Sequence, residues 1–168
     1  MRSRIVDVAF GLFARRGIDG VSISEVALAA GVSKANVMHH FGSKNGLYAA
    51  CLDTIDAHLH EVVDRVVGSG DPVDDLRASL ESWADEHPGD CRVMAYGLLR
   101  LPEQPGRWAL SAPVERMIEL VAHDRASLDD ATATVVDLLG TVTYREMSRP
   151  LVEARATRIS EPSRQEER

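Results

Sequence analysis

The chain has 168 residues, 45% of them hydrophobic and 5% aromatic, which is enough for one domain or for a small module joined to a larger one. Its two cysteines lie far apart and no apolar stretch approaches the roughly 18 residues of a membrane span, so neither a disulfide framework nor a transmembrane segment is expected. Residues 1–50 carry six basic and three acidic residues, whereas the remainder carries 13 basic and 23 acidic, which suggests a polyanion-binding module on an acidic body, or a chance fluctuation of a solvated surface.

The first predicted helix runs from about Ser3 to Arg16. Apolar residues recur there at helical spacing, and β-branched residues appear singly along the chain rather than in alternating runs, which predicts an all-α protein. Gly17 can adopt the left-handed conformation that ends a helix. Asp7 interrupts the apolar run and no A-x-A cleavage site follows it directly, so we expect no signal peptide and a cytoplasmic protein.

Two short helices are predicted next. Ser22 and Glu25 have the spacing of a capping box, which starts the second helix. The third helix covers residues 34–41, and the two are joined by Gly31-Val32-Ser33. This is the helix-turn-helix pattern, in which the glycine takes the tight turn, the valine fills the angle between the helices and the serine caps the third helix.

The remainder of the chain is predicted to form a helical body. Ser43 caps a long fourth helix that the GSG at 68–70 stops, and Asp71-Pro72 opens a fifth helix that ends before Pro88. Later helices are expected at 91–101, 108–123 and 128–147. Pro113 permits a break in the seventh helix and Pro150 is expected to stop the eighth. A short helix could follow at 151–158, and the polar tail from Ile159 is expected to be disordered.

The first 50 residues resemble the TetR (tetracycline-repressor-like) family of bacterial transcription regulators. About ten spaced positions match the family in order, and the resemblance covers roughly residues 2–52. The matching residues are Ala9, Leu12, Phe13 and Gly17 of the first helix, Ser22, Val26 and Ala27 of the second, Gly31-Val32-Ser33 at the turn, His40-Phe41 ending the third, and Ser43-Lys44, Leu47 and Tyr48 opening the fourth. Met38 stands where the family usually has tyrosine, and the chain is shorter than most members.

The resemblance implies a homodimer that binds double-stranded DNA at a two-fold symmetric operator. It also implies an effector pocket enclosed by the fourth to seventh helices and a dimer interface formed by the last two long helices. Residues 1–46 would be a helix-turn-helix DNA-binding module, joined by the long fourth helix to a ligand-binding and dimerisation domain at 47–158 and a tail at 159–168. We therefore expect a ligand-responsive repressor, or alternatively a DNA-binding regulator without an effector, controlled by a protein partner or by its abundance.

The third helix can present a polar face to the major groove. At 100° per residue, Val37 and Phe41 point to the core, and Ala35, Asn36 and His39 lie opposite. A lysine could donate to guanine, a small alanine could contact a thymine methyl, and an asparagine could read adenine or bind phosphate. The family match places His40 and Lys44 at phosphate-binding positions. The predicted DNA contacts, which could otherwise be ordinary surface residues, are Ser22, Ser33, Lys34, Ala35, Asn36, Met38, His39, His40 and Lys44.

The spacing of the histidines does not predict a metal site. Adjacent His39 and His40 point about 100° apart on a helix, whereas chelation favours residues three or four apart, and His58 and His60 face opposite sides. The chain also has no G-x-S-x-G, P-loop, H-E-x-x-H or G-x-G-x-x-G motif. We therefore expect no metal, no cofactor and no enzymatic activity.

The body offers candidates for a pocket that would bind a small apolar or amphipathic effector, although most of them could equally fill a core. The pocket candidates are Cys51, Ile55, His58, Leu59, Trp83, Met94, Tyr96, Leu98, Trp108, Met117 and Val121. The candidates for the dimer interface are Val114, Ile118, Val135, Leu138, Leu139 and Val142. In an apolar stripe, Cys51 is interpreted as an inert thiol rather than a redox sensor. We expect effector binding to shift the fourth helix and so change the spacing of the two recognition helices.

Overall fold

The computed structural model describes residues 1–66, 70–98, 109–123 and 125–160, with side chains through Arg155. In these ranges the regular secondary structure is entirely helical, which confirms the predicted all-α class. The helices are α1 (Arg2–Arg16), α2 (Ile23–Ala30), α3 (Lys34–Phe41), α4 (Lys44–Arg65), α5 (Pro72–Glu86), α6 (Pro88–Leu98), α7 (Ser111–Ala122) and α8 (Leu128–Ser160). Within the described residues, no helix has both the length and the apolar character needed to cross a membrane.

Local hydrogen bonds begin and end α2 and α3 where the sequence predicts. The amide of Glu25 donates to Ser22 Oγ at 3.2 Å and the amide of Ser22 donates to Glu25 Oε2 at 2.7 Å, which completes the capping box. α2 ends at Gly31, whose φ of 65° is left-handed and therefore favours glycine. Ser33 Oγ accepts from the amide of Asn36 at 3.1 Å and caps α3. The predicted helix-turn-helix is thus confirmed.

Apolar side chains from the first four helices hold α3 in place. Ile5, Phe13, Val37 and Leu47 are all fully buried, and Phe13 meets the ring of Tyr48 edge-on with centroids 5.5 Å apart. Burying one such side chain contributes about 1.5–3 kcal/mol. A helix of eight residues is marginal in isolation, so this packing, rather than helix propensity, stabilises and orients α3.

α4 connects the N-terminal module (residues 1–46) to the body. Its predicted apolar stripe is buried: Cys51, Ile55, Leu59 and Val62 are each at most 1% exposed. The stripe packs against α1 on one side and against α5 and α7 on the other. α4 therefore packs against both the N-terminal module and the body, and a change in its position would affect both.

α6 approaches α1 and α4 closely because glycine occurs where the helices meet. A Cβ atom added to Gly89 would lie 3.0 Å from Cε1 of Phe10 in α1. One added to Gly97 would lie 3.0 Å from Oη of Tyr48 in α4. The Tyr48 hydroxyl also donates to the carbonyl of Val93 in α6. The body thus contacts the N-terminal module directly through α6 as well as through α4.

Two prolines lie inside helices that the sequence predicts to begin or break near them. α6 begins at Pro88 rather than at residue 91, because proline is tolerated in the first turn, where backbone amides have no helical partner. For the same reason Pro113 does not break α7, which begins at Ser111. Residues 99–101 and Trp108, at the predicted ends of these helices, lie outside the described residues.

α8 runs for 33 residues and passes through Pro150, so the prediction that this proline ends the helix is wrong. Proline in a helix interior costs about 3 kcal/mol, but the leucine, glutamate, alanine and arginine residues that follow it have high helix propensity and offset part of that cost. Leu151 and Val152 are 75% and 63% exposed, so the rest of the chain packs little against this part of α8. The helix includes the first two residues of the predicted tail, and residues 161–168 lie outside the described residues.

Candidate functional site

α3 presents an exposed face that carries no acidic residue. Lys34, Ala35, Met38, His39 and His40 are exposed and Asn36 is half-buried. Val37 is fully buried and points to the core, as its helical position predicts. The outward side chains combine a cation, hydrogen-bond donors and small apolar groups, which is the chemistry that reads base edges and phosphates in a major groove.

His39 and His40 diverge at the end of α3. Their ring centroids are 5.5 Å apart with the planes at 63°, and His40 also meets the ring of Phe41 at 6.1 Å. Each imidazole therefore has its own direction. This arrangement suits contacts with two separate phosphates better than joint ligation of one ion.

The start of the chain lies beside α3, a placement that sequence reasoning missed. Arg2 Cζ is 5.3 Å from the centroid of the Phe41 ring, and Arg4 Nη2 is 2.8 Å from the position that a Cβ on Gly31 would occupy. The side-chain amide of Asn36 donates to Met1 Sδ at 3.7 Å. Both arginines are exposed and add positive charge beside α3. The sequence did contain a signal for this placement, because two arginines stand at the N-terminus of α1. The helix dipole favours acidic residues there, so two cations suggest another role.

Lys44 is held at the beginning of α2. Its Nζ donates to the carbonyl of Val21 at 3.2 Å, and the side chain is half-buried. An ammonium group has three donors, so this bond fixes the direction of the charge and leaves capacity for a phosphate oxygen. Ser22 and Ser33 are exposed at the N-termini of α2 and α3, where free backbone amides also favour anions.

An ion pair joins the end of α1 to the start of α2. Arg16 Nη1 lies 2.9 Å from Glu25 Oε1. Hydrogen bonds from the Ser22 amide and hydroxyl, and then from Arg16, lower the pKa of Glu25 from 4.5 to about 2. Glu25 is therefore charged at neutral pH, and Arg16 compensates that charge next to the proposed DNA-facing surface.

Most predicted pocket residues lie in the close-packed core, the alternative that the sequence left open. Those at most 2% exposed are Cys51, Ile55, Leu59, Trp83, Met94, Met117 and Val121. Of the other candidates, His58 and Tyr96 are half-buried, Leu98 is 42% exposed, and Trp108 lies outside the described residues. Burial raises the pKa of the Cys51 thiol to about 12, so it stays protonated and unreactive at neutral pH.

An apolar groove of about 400 Å³ lies between α6, α7 and α8. Met94 and Leu98, predicted for the pocket, line it together with Val114 and Leu139, predicted for the dimer interface. The other lining residues are Val136, Gly140, Thr143, Tyr144 and Met147. Residues assigned by sequence to two different sites therefore meet at one surface.

Comparison with known proteins identifies the N-terminal module. Residues 5–51 match the family described as "Bacterial regulatory proteins, tetR family". The N-terminal module is therefore similar to that of TetR-family regulators. Over 109 residues the chain is 42% identical to the HTH-type transcriptional regulatory protein RaaS of Mycobacterium tuberculosis. The aligned segment makes up 64% of this chain and 47% of RaaS. The chain is 28% identical over 130 residues to the HTH-type transcriptional regulator AcrR of Shigella flexneri, which is 74% of this chain and 60% of AcrR. The chain thus spans about half the length of these curated relatives.

The likeness in fold to a solved transcriptional regulator extends beyond the N-terminal module. A transcriptional regulator of Rhodococcus sp. Rha1 superimposes with a TM-score of 0.71 at 24% sequence identity. The match covers 90% of this chain and 86% of that one. At this identity the likeness concerns the fold, and it includes the helices of the body.

The predicted interface residues divide into two sets. Val135, Leu138 and Val142 are at most 5% exposed and pack in the chain's own core. Apolar residues therefore cover more than one side of α8. Val114, Ile118 and Leu139 are half-buried. The exposed apolar side chains of α8 include Val136, Tyr144 and Met147, which are 58%, 75% and 42% exposed.

Proposed function

We propose that this protein is a TetR-family transcriptional regulator that binds a two-fold symmetric DNA operator as a homodimer. The observation that carries the proposal is the outer face of α3, which is exposed, free of acidic side chains and flanked by Arg2, Arg4 and Lys44. Residues 1–46 would bind DNA, residues 47–158 would provide dimerisation and ligand binding, and residues 159–168 would form a tail.

The proposed contacts divide into two kinds. Lys34, Ala35 and Met38 face outward along α3 and are assigned to base edges. Met38 can pack on a thymine methyl but, unlike tyrosine, cannot donate a hydrogen bond. The two histidines, Lys44 and the N-termini of α2, α3 and α4 are assigned to phosphates. Phosphate contacts give affinity and register, whereas base contacts specify sequence.

The second copy is proposed to pack on the apolar surface of α7 and α8. Val136, Leu139, Tyr144 and Met147 recur on α8 at the spacing of one helix face. A contiguous exposed apolar patch on a protein surface usually marks an interaction site. In the dimer, the two α3 helices would need to lie about 34–36 Å apart to enter successive major grooves.

The groove between α6, α7 and α8 is the candidate effector site. Because Val136, Leu139, Tyr144 and Met147 also belong to the proposed dimer surface, the second subunit would close the groove over the ligand. Its volume of about 400 Å³ suits a small apolar or amphipathic molecule. A ligand there would displace α6, and through it α4 and α1, which would change the spacing of the two α3 helices.

A second candidate is DNA binding without an effector, regulated by a protein partner or by abundance. It is favoured by the burial of seven predicted pocket residues in the core. In that case side chains of the second subunit would fill the groove and leave no space for a ligand.

The test is fluorescence anisotropy with DNA that flanks the protein's own gene, at several salt concentrations. We expect sequence-specific binding that weakens with salt, with a slope in log–log form of about −0.9 for each phosphate neutralised. Binding that does not distinguish one sequence from another would contradict the proposal. Operator affinity that stays the same when a small molecule is bound in the groove would eliminate the effector candidate and favour the second.

A further inference from the structure

Three residues able to ligate a metal ion meet where α4, α5 and α6 come together. His58 lies on α4, His87 is the C-terminal cap of α5, and Asp90 lies in the first turn of α6. One ligand atom of each lies within 4.8 Å of the others. We propose that His58, His87 and Asp90 form a binding site for a divalent transition-metal ion of the zinc, cobalt and nickel class.

The donor set decides the class of ion. Two imidazole nitrogens and one carboxylate oxygen suit zinc and its neighbours, whereas calcium and magnesium prefer oxygen ligands alone. In a tetrahedral site with bonds of about 2.0–2.2 Å, neighbouring ligand atoms lie roughly 3.3–3.6 Å apart. The 2.7 Å between His58 Nδ1 and Asp90 Oδ2 would therefore widen and the longer separations would shorten, which rotation of the side chains can supply.

The two histidines of the cluster lie side by side. Their rings stack with centroids 4.0 Å apart and planes within 16°. His58 Nδ1 is also 2.7 Å from Asp90 Oδ2. The stack and this short contact bring nitrogen and oxygen donors from three helices to one place, where a single ion could bind them together.

Burial and a second hydrogen bond fix the side chain of Asp90. Its side chain is 3% exposed, and Oδ2 also accepts a hydrogen bond from Trp83 Nε1 at 3.1 Å. Outer hydrogen bonds of this kind orient the ligands of metal sites. A buried carboxylate is costly without compensating charge, and a divalent cation compensates it more fully than one partly exposed histidine does.

Space for the ion and a water ligand adjoins the cluster. A cavity of about 250 Å³ is lined by His58, His87 and Asp90 together with Asp7 and Phe10 of α1. Asp7 adds a second carboxylate to the walls, which favours a cation further. The alternative is a hydrogen-bonded network of His58, Asp90 and Trp83 that binds no metal. The experiment separates the two.

The experiment is Co²⁺ titration of the full chain after treatment with a chelator. We expect one Co²⁺ per protomer, visible absorption bands of a four-coordinate ion, and displacement by Zn²⁺. The indole N–H signal of Trp83 in a ¹H–¹⁵N spectrum should shift or broaden, because that indole is hydrogen-bonded to Asp90. Both readouts use the unaltered chain and do not depend on DNA binding. The metal-site inference is therefore tested independently of the proposed function.

Conservative variants locate the site. His87→Gln and Asp90→Asn keep the size and polarity of the side chains, and each should weaken Co²⁺ and Zn²⁺ binding at least about tenfold. His123→Gln changes an exposed histidine elsewhere and should bind as the unaltered chain does. The proposal is overturned if the unaltered chain takes up no stoichiometric Co²⁺, if the Trp83 signal does not respond, or if His123→Gln weakens binding equally.

Discussion

Lys34 and Lys44, the two lysines of the chain, differ in their surroundings and so in their expected roles. Lys34 is exposed at the start of α3, whereas Lys44 is half-buried and bonded to the carbonyl of Val21. We predict that Lys34→Ala costs about 1–3 kcal/mol on the preferred operator and relaxes the preference at one base pair. Lys44→Ala should weaken binding to all sequences alike and reduce the salt slope by about 1.

The measurement for both lysines is anisotropy on the operator and on singly substituted operators. Arg77→Ala, a change in an exposed cation on α5, is the control and should leave binding unchanged. Thermal unfolding checks that Lys44→Ala remains folded after losing its bond to Val21. Equal behaviour of Lys34→Ala and Lys44→Ala would refute the division between base and phosphate contacts.

Glu25 predicts a specific loss of stability in acid. Its pKa is about 2 in the folded chain and 4.5 ordinarily, so between these values the unfolded state binds more protons than the folded state. The contribution of Glu25 is therefore complete above about pH 4.5 and is lost as the pH falls to about 2. Urea unfolding at a series of pH values measures this loss. As the pH falls, the free energy of unfolding should decline less steeply in Glu25→Gln than in the unaltered chain. Parallel curves would mean that the capping box and the Arg16 pair do not act on this carboxyl.

At the scale of elements, the position of Pro150 inside α8 predicts that replacing this proline stabilises the folded chain. Pro150 lacks the amide that would bond the carbonyl of Glu146, and its ring crowds that carbonyl. Pro150→Ala should raise the free energy of unfolding by about 1–3 kcal/mol, as measured by urea denaturation. Pro88→Ala is the matched control, because Pro88 is exposed in the first turn of α6 and costs nothing there. A gain no larger than that of the control would show that the proline is tolerated without strain.

The helix-turn-helix could be predicted from the sequence because its boundaries depend on residues close in the chain. Ser22 with Glu25, then Gly31, then Ser33 each act within three positions. The course of α8 could not be predicted in this way. Whether Val135 or its neighbour Val136 faces the core depends on where α5, α6 and α7 lie, and this information is not local.

The candidate sites show the same limit. Side chains of α3 could be assigned to an outer face by helix geometry alone, and their exposure agrees. The His58–His87–Asp90 cluster draws on three helices, and periodicity within α4 compares His58 only with neighbours such as His60. The placement of Arg2 and Arg4 beside α3 was missed because it arises from the packing of α1.

At the scale of the whole molecule, the exposed face of α8 predicts the oligomeric state. Tyr144→Glu combined with Met147→Glu would place two carboxylates in the proposed interface, where burial without a partner is costly. We expect dimerisation to weaken at least about 100-fold in sedimentation analysis, and operator affinity to fall with it. Thr141→Glu, an exposed position on another side of α8, should leave the dimer intact. A double variant that remains dimeric would place the interface elsewhere.

The glycine contacts of α6 leave almost no clearance between the body and the N-terminal module. With Gly89 against Phe10 and Gly97 against Tyr48, a displacement of α6 of a few tenths of an ångström cannot be absorbed by loose packing and is passed on to α1 and α4. The same tightness sets the resting angle between the two parts. A methyl group at either position would push the helices apart, so residues far from the proposed DNA-binding surface would alter how α3 is presented.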